Sequence, residues 1–334
     1  MIPQFSNLLE LQKYFNNELV CAKYLEQKKW NGKPVCPDCG CEKIYRFKTR
    51  LRHPELKNYK DFICSNKECK KIFSVLTDSI FEGSKISLQV WFSAMYLISA
   101  HKKGISSHQL ASDLGITQKS SWFILHRIRC SYEPKPIEEK IDGLFQADET
   151  FIGGKNKNRH AHKKVDASQG RSTKDKTPVF GLQQTGGDIH TFVVKNTKAE
   201  TLQPIIKSMI KSGAIIVTDE WNGYNGLSKD YGHILVNHNE KQYVNGAFSN
   251  NAIEGYWSLF KRGIFGIYHW VSAKHLHRYC NEFSYRYNRR KISDINKFEL
   301  ALLQSNNKRL TYNQLIAKPV VDLTEDVDYD VVQD

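Results

Sequence analysis

Three acidic residues in the second half of the chain are of the type that could bind metal ions for phosphodiester chemistry. They are Asp148 in "LFQADET", Asp219 at the end of "AIIVTD" and Glu254 in "NNAIEGYWSLFKRG". Mg²⁺ prefers oxygen ligands, and two such ions about 3.5–4 Å apart can neutralise the attacking and leaving oxygens of a phosphodiester. A single acid at a strand end is more often a cap or turn residue. Three acids on a strand, a strand and a helix favour one shared site.

The segment around Glu254 predicts an amphipathic helix. Its apolar residues recur at helical spacing: Ile253, Tyr256, Trp257 and Phe260. Glu254, Ser258 and Lys261 lie beside this stripe, and seven residues of helix separate Glu254 from Lys261 by about 10 Å. That distance is too long for a helical ion pair. Either both side chains face water, or each has a different partner on one surface.

Five of the eight cysteines fall between positions 36 and 69. Cys36-x2-Cys39 and Cys64-x4-Cys69 form two short knuckles, the spacing with which thiolates hold one Zn²⁺ tetrahedrally. Cys41 is an alternative ligand, so the fourth position is open. The competing interpretation is five unrelated buried thiols. No open catalytic metal site is indicated here, so the zinc is expected to be structural.

Residues 104–129 predict a helix-turn-helix. Ser106 with Gln109 resembles a capping box, Gly115 makes the turn and Thr117 can cap the second helix. The second helix is expected to expose residues that contact bases or phosphates, namely Gln118, Lys119, Ser121 and Arg127. An ordinary pair of packed core helices is the alternative.

The order of elements suggests several domains. We expect an N-terminal helix at 1–30, a zinc ribbon at 31–82, helical DNA-binding segments at 83–132 and a linker at 133–143. An α/β domain should follow at 144–300, where strands alternate with helices and a hairpin turns at Gly186. Residues 301–334 form a C-terminal extension with an acidic tail.

The charge distribution points to a polyanionic partner. The net charge is +14, and the last sixteen residues hold six acids and no Lys or Arg, which leaves +20 on the remainder. A basic body of this size suggests nucleic acid. The sequence shows neither a signal peptide nor an apolar run of 18 residues, so we expect an intracellular protein without a membrane partner.

Taken together, these segments resemble the DDE transposases of bacterial insertion sequences, in the group with an N-terminal zinc ribbon. The resemblance covers most of residues 20–295. It depends on the segments "CPDCG", "ADETFIGG", "VTDEWNGY", "NAIEGYWSLFKRGIFG" and "YCNEFSYRYNRR". It implies a ribonuclease-H-like α/β domain with a mixed sheet and flanking helices. In that domain Asp148, Asp219 and Glu254 would hold Mg²⁺ or Mn²⁺, and Lys261 would meet DNA phosphate.

The activity that the resemblance implies is cleavage and joining of double-stranded DNA at the ends of the element, in the bacterial cytoplasm at the nucleoid. Such transposases usually act as homo-oligomers. Two alternatives are a DNA-binding regulator without catalysis and a ribonuclease-H-like nuclease that only hydrolyses. One departure is Ser249, since the family pattern before the catalytic Glu has His at that position.

Basic residues near and after the Glu254 helix complete the predicted DNA contacts. They are Lys261, Arg262, Arg286, Arg289 and Arg290. Phosphate binding by such a rim is the functional interpretation. The alternative is that the neighbouring aromatic residues form the core and the basic groups are only solvated.

Overall fold

The computed structural model describes residues 5–48, 56, 59–154, 156, 160–166, 172–236, 244–245 and 248–317. The predicted acidic tail lies outside the described residues. The α-helices are α1 (Leu8–Tyr14), α2 (Glu18–Trp30), α3 (Leu88–Ala100), α4 (Ser107–Leu114), α5 (Gln118–Ser131), α6 (Ala199–Met209), α7 (Asn251–Gly263), α8 (Ala273–Asn288), α9 (Asp294–Leu303) and α10 (Tyr312–Ile316). The strands are β1 (Ile44–Lys48), β2 (Lys60–Cys64), β3 (Ile72–Phe73), β4 (Leu144–Ile152), β5 (Thr177–Gln184), β6 (Ile189–Val193), β7 (Ile215–Thr218), β8 (Gly232–Leu235), β9 (Val244–Asn245) and β10 (Phe248–Ser249).

The N-terminal helices form one apolar core around α3. This helix is buried nearly all round, as its uninterrupted apolar sequence predicts. Helices α1 and α2 pack against it, and α9 joins the same core from the other end of the chain through Phe298 and Leu302. The prediction of one helix at 1–30 is wrong. Asn17 caps α2 by accepting a hydrogen bond from the Val20 N–H, and this starts a second helix after Phe15.

A small antiparallel sheet with the order β1-β2-β3 follows α2. Phe62 and Phe73 stack with ring centroids 5.3 Å apart, and Trp30 packs edge-on against Phe62. This core is too small to stabilise a domain by apolar burial alone. The cysteines at its rim are therefore important for its stability.

The larger sheet has the order β6-β5-β4-β7-β8. Strand β5 is antiparallel to β4 and β6, whereas β4, β7 and β8 are parallel. The β5–β6 hairpin turns at Gly186, whose φ of +75° suits glycine, as predicted. This mixed sheet with flanking helices confirms the predicted ribonuclease-H-like α/β class.

Each face of the larger sheet is covered by different helices. Helix α6 packs on the face that carries Phe145 and Ala147. Helices α7 and α8 pack on the opposite face, where Ile253 and Phe283 are fully buried. The predicted apolar stripe of α7 is confirmed, since all four of its members are buried.

A buried ion network connects α5 with α8. Glu282 has no exposed side-chain surface, and its Oε2 accepts a hydrogen bond from Arg129 Nε at 2.6 Å. Its Oε1 is bonded to Arg286 and accepts from the Tyr268 hydroxyl at 2.5 Å. Since α8 also contacts β6 through Thr191 and Ser284, α8 connects the helix-turn-helix segment to the larger sheet.

None of the helices in the described ranges is long and apolar enough to cross a bilayer. The domain boundaries proposed from the sequence remain predictions. The N-terminal helical core contains residues that precede the larger sheet in the sequence and also residues of α9, which follow it.

Candidate functional site

Four cysteines converge at one end of the small sheet. The Sγ atoms of Cys36, Cys39, Cys64 and Cys69 all lie within 4.8 Å of one another. Cys36 Sγ is 3.7 Å from Cys69 Sγ, and Cys39 Sγ is 3.5 Å from Cys64 Sγ. A tetrahedron with Zn–S bonds of about 2.3 Å has edges of roughly 3.8 Å. The donor set and its spacing therefore fit one structural Zn²⁺, as the knuckles predict.

Cys41 lies outside this group. Its Sγ is 3.6 Å from the carbonyl of Lys43 and 3.7 Å from the Ser65 hydroxyl. Its backbone carbonyl accepts from the Cys36 N–H. The open question about the fourth ligand is thus answered in favour of Cys69.

Asp148 in β4 and Asp219, one residue beyond β7, belong to two neighbouring parallel strands. Strands β4 and β7 pair Leu144 with Ile215 and Gln146 with Val217. The same register, continued by two residues, sets Asp148 beside Asp219 just beyond the last paired residues. Asp148 lies two residues after Gln146 in β4, so it shares the sheet face that contacts α7. Asp219 is the first residue beyond β7. Both residues are half-buried.

Helix α7 starts beside Gln146, two residues before Asp148 in β4. The Ile253 N–H at its first turn donates to Gln146 Oε1 at 3.0 Å, a contact that spans 107 residues of sequence. Glu254 follows Ile253 and precedes the buried Tyr256 and Trp257. The first turn of α7, which carries the exposed Glu254, is therefore bonded to β4 two residues before Asp148.

Local contacts hold the neighbouring groups in place. Asp219 Oδ1 accepts from the Trp221 N–H at 3.0 Å, which fixes the turn after β7. On the other sheet face Tyr224 is fully buried. Burial raises the pKa of the Tyr224 hydroxyl, and the charges of Glu149, Asp148 and Asp219 raise it further. Tyr224 therefore stays neutral beside Glu149, Asp148 and Asp219.

The exposed side of α7 carries its basic residues away from the acids. Lys261 and Arg262 are exposed in the last turns, and Arg262 Nε donates to the Ser258 carbonyl at 3.1 Å. Seven residues place Lys261 about 10 Å from Glu254 along the axis. Glu254, Ser258 and Lys261 are all exposed.

Two of the four α5 residues that were predicted to be exposed are exposed. Gln118 and Lys119 are exposed at its first turn, although Gln118 Nε2 donates to Ser107 Oγ at 2.9 Å. The ammonium of Lys119 lies 5.1 Å from the ring centroid of Tyr312 in α10. The caps from Ser106, Gly115 and Thr117 are confirmed.

The prediction that Ser121 and Arg127 are exposed is wrong. Both are buried because α3 and α8 cover the sides of α5 beyond its first turn. Arg127 Nη2 donates to the Glu82 carbonyl at 2.6 Å, and its guanidinium lies over Trp91. Arg127 is therefore a structural residue.

The three arginines predicted to contact DNA in and just after α8 differ in their burial. Arg286 is buried in the Glu282 network, so the prediction that it faces DNA is wrong. Arg289 is half-buried, with its Nη1 3.4 Å from Asp188. Arg290 is exposed and lies over the ring of Tyr287. Arg289 and Arg290 can still reach solvent, whereas Arg286 serves the core.

Sequence reasoning missed two residues that support the site. Gln146 lies two residues before Asp148 in β4, and its side chain anchors the first turn of α7. Gly181 pairs with Asp148 across β4 and β5 and lies under Trp257. A polar Gln and a Gly inside otherwise apolar strands were the signals that could have indicated them.

Comparison with known proteins identifies the relatives of this chain. The family described as ISXO2-like transposase domain matches residues 140–288, and the transposase zinc-ribbon domain matches residues 16–71. An uncharacterized protein in transposable element ISH50 of Halobacterium salinarum is 25% identical over 284 residues, which cover 82% of this chain and 92% of that protein. An uncharacterized transposase-like protein of Haemophilus influenzae is 29% identical over 105 residues, which cover 31% of this chain and 84% of that protein.

Proposed function

We propose that this chain, which belongs to the ISXO2-like transposases with a zinc ribbon, cleaves DNA at the ends of its element and joins those ends to target DNA. The observation that carries the proposal is the register of Asp148 and Asp219 on neighbouring strands, with the first turn of α7 bonded to β4. In this proposal, the three carboxylates come together where the pairing of β4 with β7 ends. The exposure of Glu254 leaves that place accessible to a large substrate.

Asp148, Asp219 and Glu254 would hold Mg²⁺ or Mn²⁺, because an all-oxygen donor set suits these hard cations. When bound, the ions neutralise charge on the attacking and leaving oxygens of the scissile phosphodiester. The protein residues supply position. Gln146 and the sheet register hold the carboxylates, and Lys261 binds a backbone phosphate about two helical turns away from Glu254.

The reaction has two steps of the same kind. In the first, water attacks phosphorus at the element's end, the bond from phosphorus to the 3′-oxygen breaks, and a 3′-hydroxyl is freed. In the second, that 3′-hydroxyl attacks a phosphorus of target DNA and displaces the target's own 3′-oxygen, which takes up a proton. Both steps need charge stabilisation at one phosphorus, so one carboxylate site serves both.

Recognition of the element's ends would come from the N-terminal half. The first turn of α5 presents Gln118 and Lys119, and the N-terminal end of such a helix is the part that contacts base edges in helix-turn-helix proteins. Lys261, Arg262, Arg289 and Arg290 add phosphate contacts in this proposal, consistent with the excess positive charge. Two DNA ends would be bridged by a homo-oligomer.

The test is a strand-transfer assay. DNA flanking the gene is searched for inverted repeats, and labelled ends are incubated with purified protein and Mg²⁺ or Mn²⁺. We expect end-specific cutting and joining by the wild type and a loss of at least about 10³-fold in Glu254→Gln, because one carboxylate ligand is removed. Glu200→Gln, an exposed acid on α6, is the matched control and should behave as the wild type.

Other results would overturn the proposal in distinct ways. Specific binding to the ends without cutting by the wild type would favour the regulator, and Ser249 would be the first position to restore to His. Cutting without joining would favour a nuclease that only hydrolyses. Equal activity of Glu254→Gln and wild type would refute the assignment of Glu254.

A further inference from the structure

The position opposite Asp148 is occupied by a glycine that no backbone requirement explains. Gly181 lies in the middle of β5, is buried and pairs with Asp148 across the antiparallel ladder. Its φ is not in the left-handed region that favours glycine. Glycine inside a strand weakens the strand, and it commonly marks a close approach of another group. The reason for glycine at this position is therefore steric.

The group that approaches Gly181 is helix α7, which also carries Glu254. A Cβ atom on residue 181 would lie 2.6 Å from Trp257 Cζ2, 3.0 Å from Trp257 Cη2 and 3.2 Å from Ile253 Cδ1. Carbon atoms in contact prefer about 3.5–4.0 Å. Trp257 and Ile253 are both buried, so neither side chain can turn into solvent. An alanine at 181 would push α7 away from the sheet by roughly 1 Å.

We propose that Gly181 is a positioning residue that sets the distance between α7 and the sheet, and thereby places Glu254 against Asp148 and Asp219. This inference rests on the proposed function. Ile253 makes the contact with Gly181 and also donates to Gln146, so the same turn of α7 is held from two sides. Glu254 is the next residue. A displacement of α7 away from the sheet at Trp257 would therefore also displace the Glu254 carboxylate.

The chemistry makes this distance critical. Mg²⁺ requires oxygen ligands at about 2.0–2.1 Å in near-octahedral geometry, so a ligand displaced by 1 Å no longer binds in the same way. A misplacement of about 1 Å can cost on the order of 10²-fold in rate. Gly181 has no side chain to touch the substrate. Its effect would be exerted wholly through Trp257 and Ile253.

The experiment compares Gly181→Ala with a double variant that restores the space. Trp257→Phe removes the ring atoms that the new methyl would strike, so Gly181→Ala/Trp257→Phe should recover most of the lost function. Gly232→Ala is the matched control. It lies in β8 of the same sheet and is exposed, and the nearest atom to its Cβ would be Ile215 Cγ1 at 3.3 Å, a milder contact than the 2.6 Å at residue 181.

Three properties are measured on the full-length protein: Mn²⁺ binding by electron paramagnetic resonance, cleavage of element ends, and the free energy of unfolding. We expect Gly181→Ala to weaken Mn²⁺ binding at least about tenfold and cleavage about 10²-fold. The double variant should regain most of both, and Gly232→Ala should match the wild type. A purely structural role would lower the stability of Gly181→Ala and leave its Mn²⁺ affinity unchanged, which would overturn the proposal.

Two further outcomes separate this inference from the proposed function. Wild-type levels of Mn²⁺ binding and cleavage in Gly181→Ala would refute the positioning role while the transposase activity stands. A wild type that neither binds Mn²⁺ nor cleaves DNA would refute the proposed function, and the positioning role would fall with it.

Discussion

Replacing Glu282 by Gln tests whether the buried network between α5 and α8 depends on charge. The Glu282 side chain is 0% exposed, and those of Arg129 and Arg286 are 1% and 5% exposed. Gln keeps the shape and one acceptor oxygen but leaves two buried guanidinium groups without a counter-charge. Removing one partner of a buried ion pair costs about 3–5 kcal/mol of stability. We expect a loss of that size in urea unfolding at neutral pH.

The control for this variant is Glu133→Gln. Glu133 pairs with Lys308 on the surface, where its side chain is 54% exposed. A surface pair contributes about 0–1 kcal/mol, so this variant should unfold close to the wild type. If Glu282→Gln loses no more than the control, the reasoning that the two arginines depend on its charge is refuted.

The same network predicts a pH dependence. Burial alone would raise the pKa of Glu282, but Arg286, Arg129 and the Tyr268 hydroxyl outweigh it, and the net pKa is lowered. A carboxyl whose pKa is lowered by folding contributes stability above its unfolded pKa and loses it as the pH falls through the folded value. The stability gap between wild type and Glu282→Gln should therefore be full at neutral pH and shrink below about pH 4. A gap that stays constant with pH would contradict this assignment.

Two further predictions concern zinc and DNA. Cys64→Ser should lose the zinc and have a lower Tm, whereas Cys41→Ser should keep one zinc per chain, since Cys41 lies outside the cluster. The zinc content of each variant is measured by atomic absorption. Equal loss of zinc in both variants would contradict the ligand set. Lys119→Ala should weaken DNA binding and reduce the slope of log K against log salt by about 1, whereas Arg127→Met should lower stability and leave that slope unchanged. A changed slope in Arg127→Met would show that its burial does not keep it from DNA.

Much of the architecture could be predicted from local patterns. The stripe of α7, the caps of α4 and α5 and the two cysteine knuckles each depend on residues a few positions apart. Local spacing expresses such features directly, because helical periodicity and metal-ligand geometry repeat over one or two turns.

What could not be predicted depends on contacts that are distant in sequence. Arg127 and Arg286 have the residue type that binds phosphate, but α5 and α8 are covered by neighbouring helices that their own sequences do not reveal. Gln146 contacts α7 across 107 residues of sequence. The need for glycine at position 181 is explained by Trp257, which packs against it from α7. Helix periodicity shows which residues lie outside the apolar face of a helix. It does not show whether neighbouring helices also bury those residues.

The buried bond between Arg129 and Glu282 has a consequence for the DNA itself. It connects the helix that carries Lys119 to α8, and α8 is bonded to the sheet that carries Asp148. Separating these two parts would leave a buried carboxylate without its partners. Under the proposed function, the distance between the recognition helix and the cleavage site would therefore be fixed. On duplex DNA a fixed length is also a fixed angle, because the helix turns once in about 10–10.5 base pairs. Five base pairs inserted between the recognised sequence and the cut site would present the scissile phosphate on the far side of the duplex, whereas ten would restore its direction but not its distance.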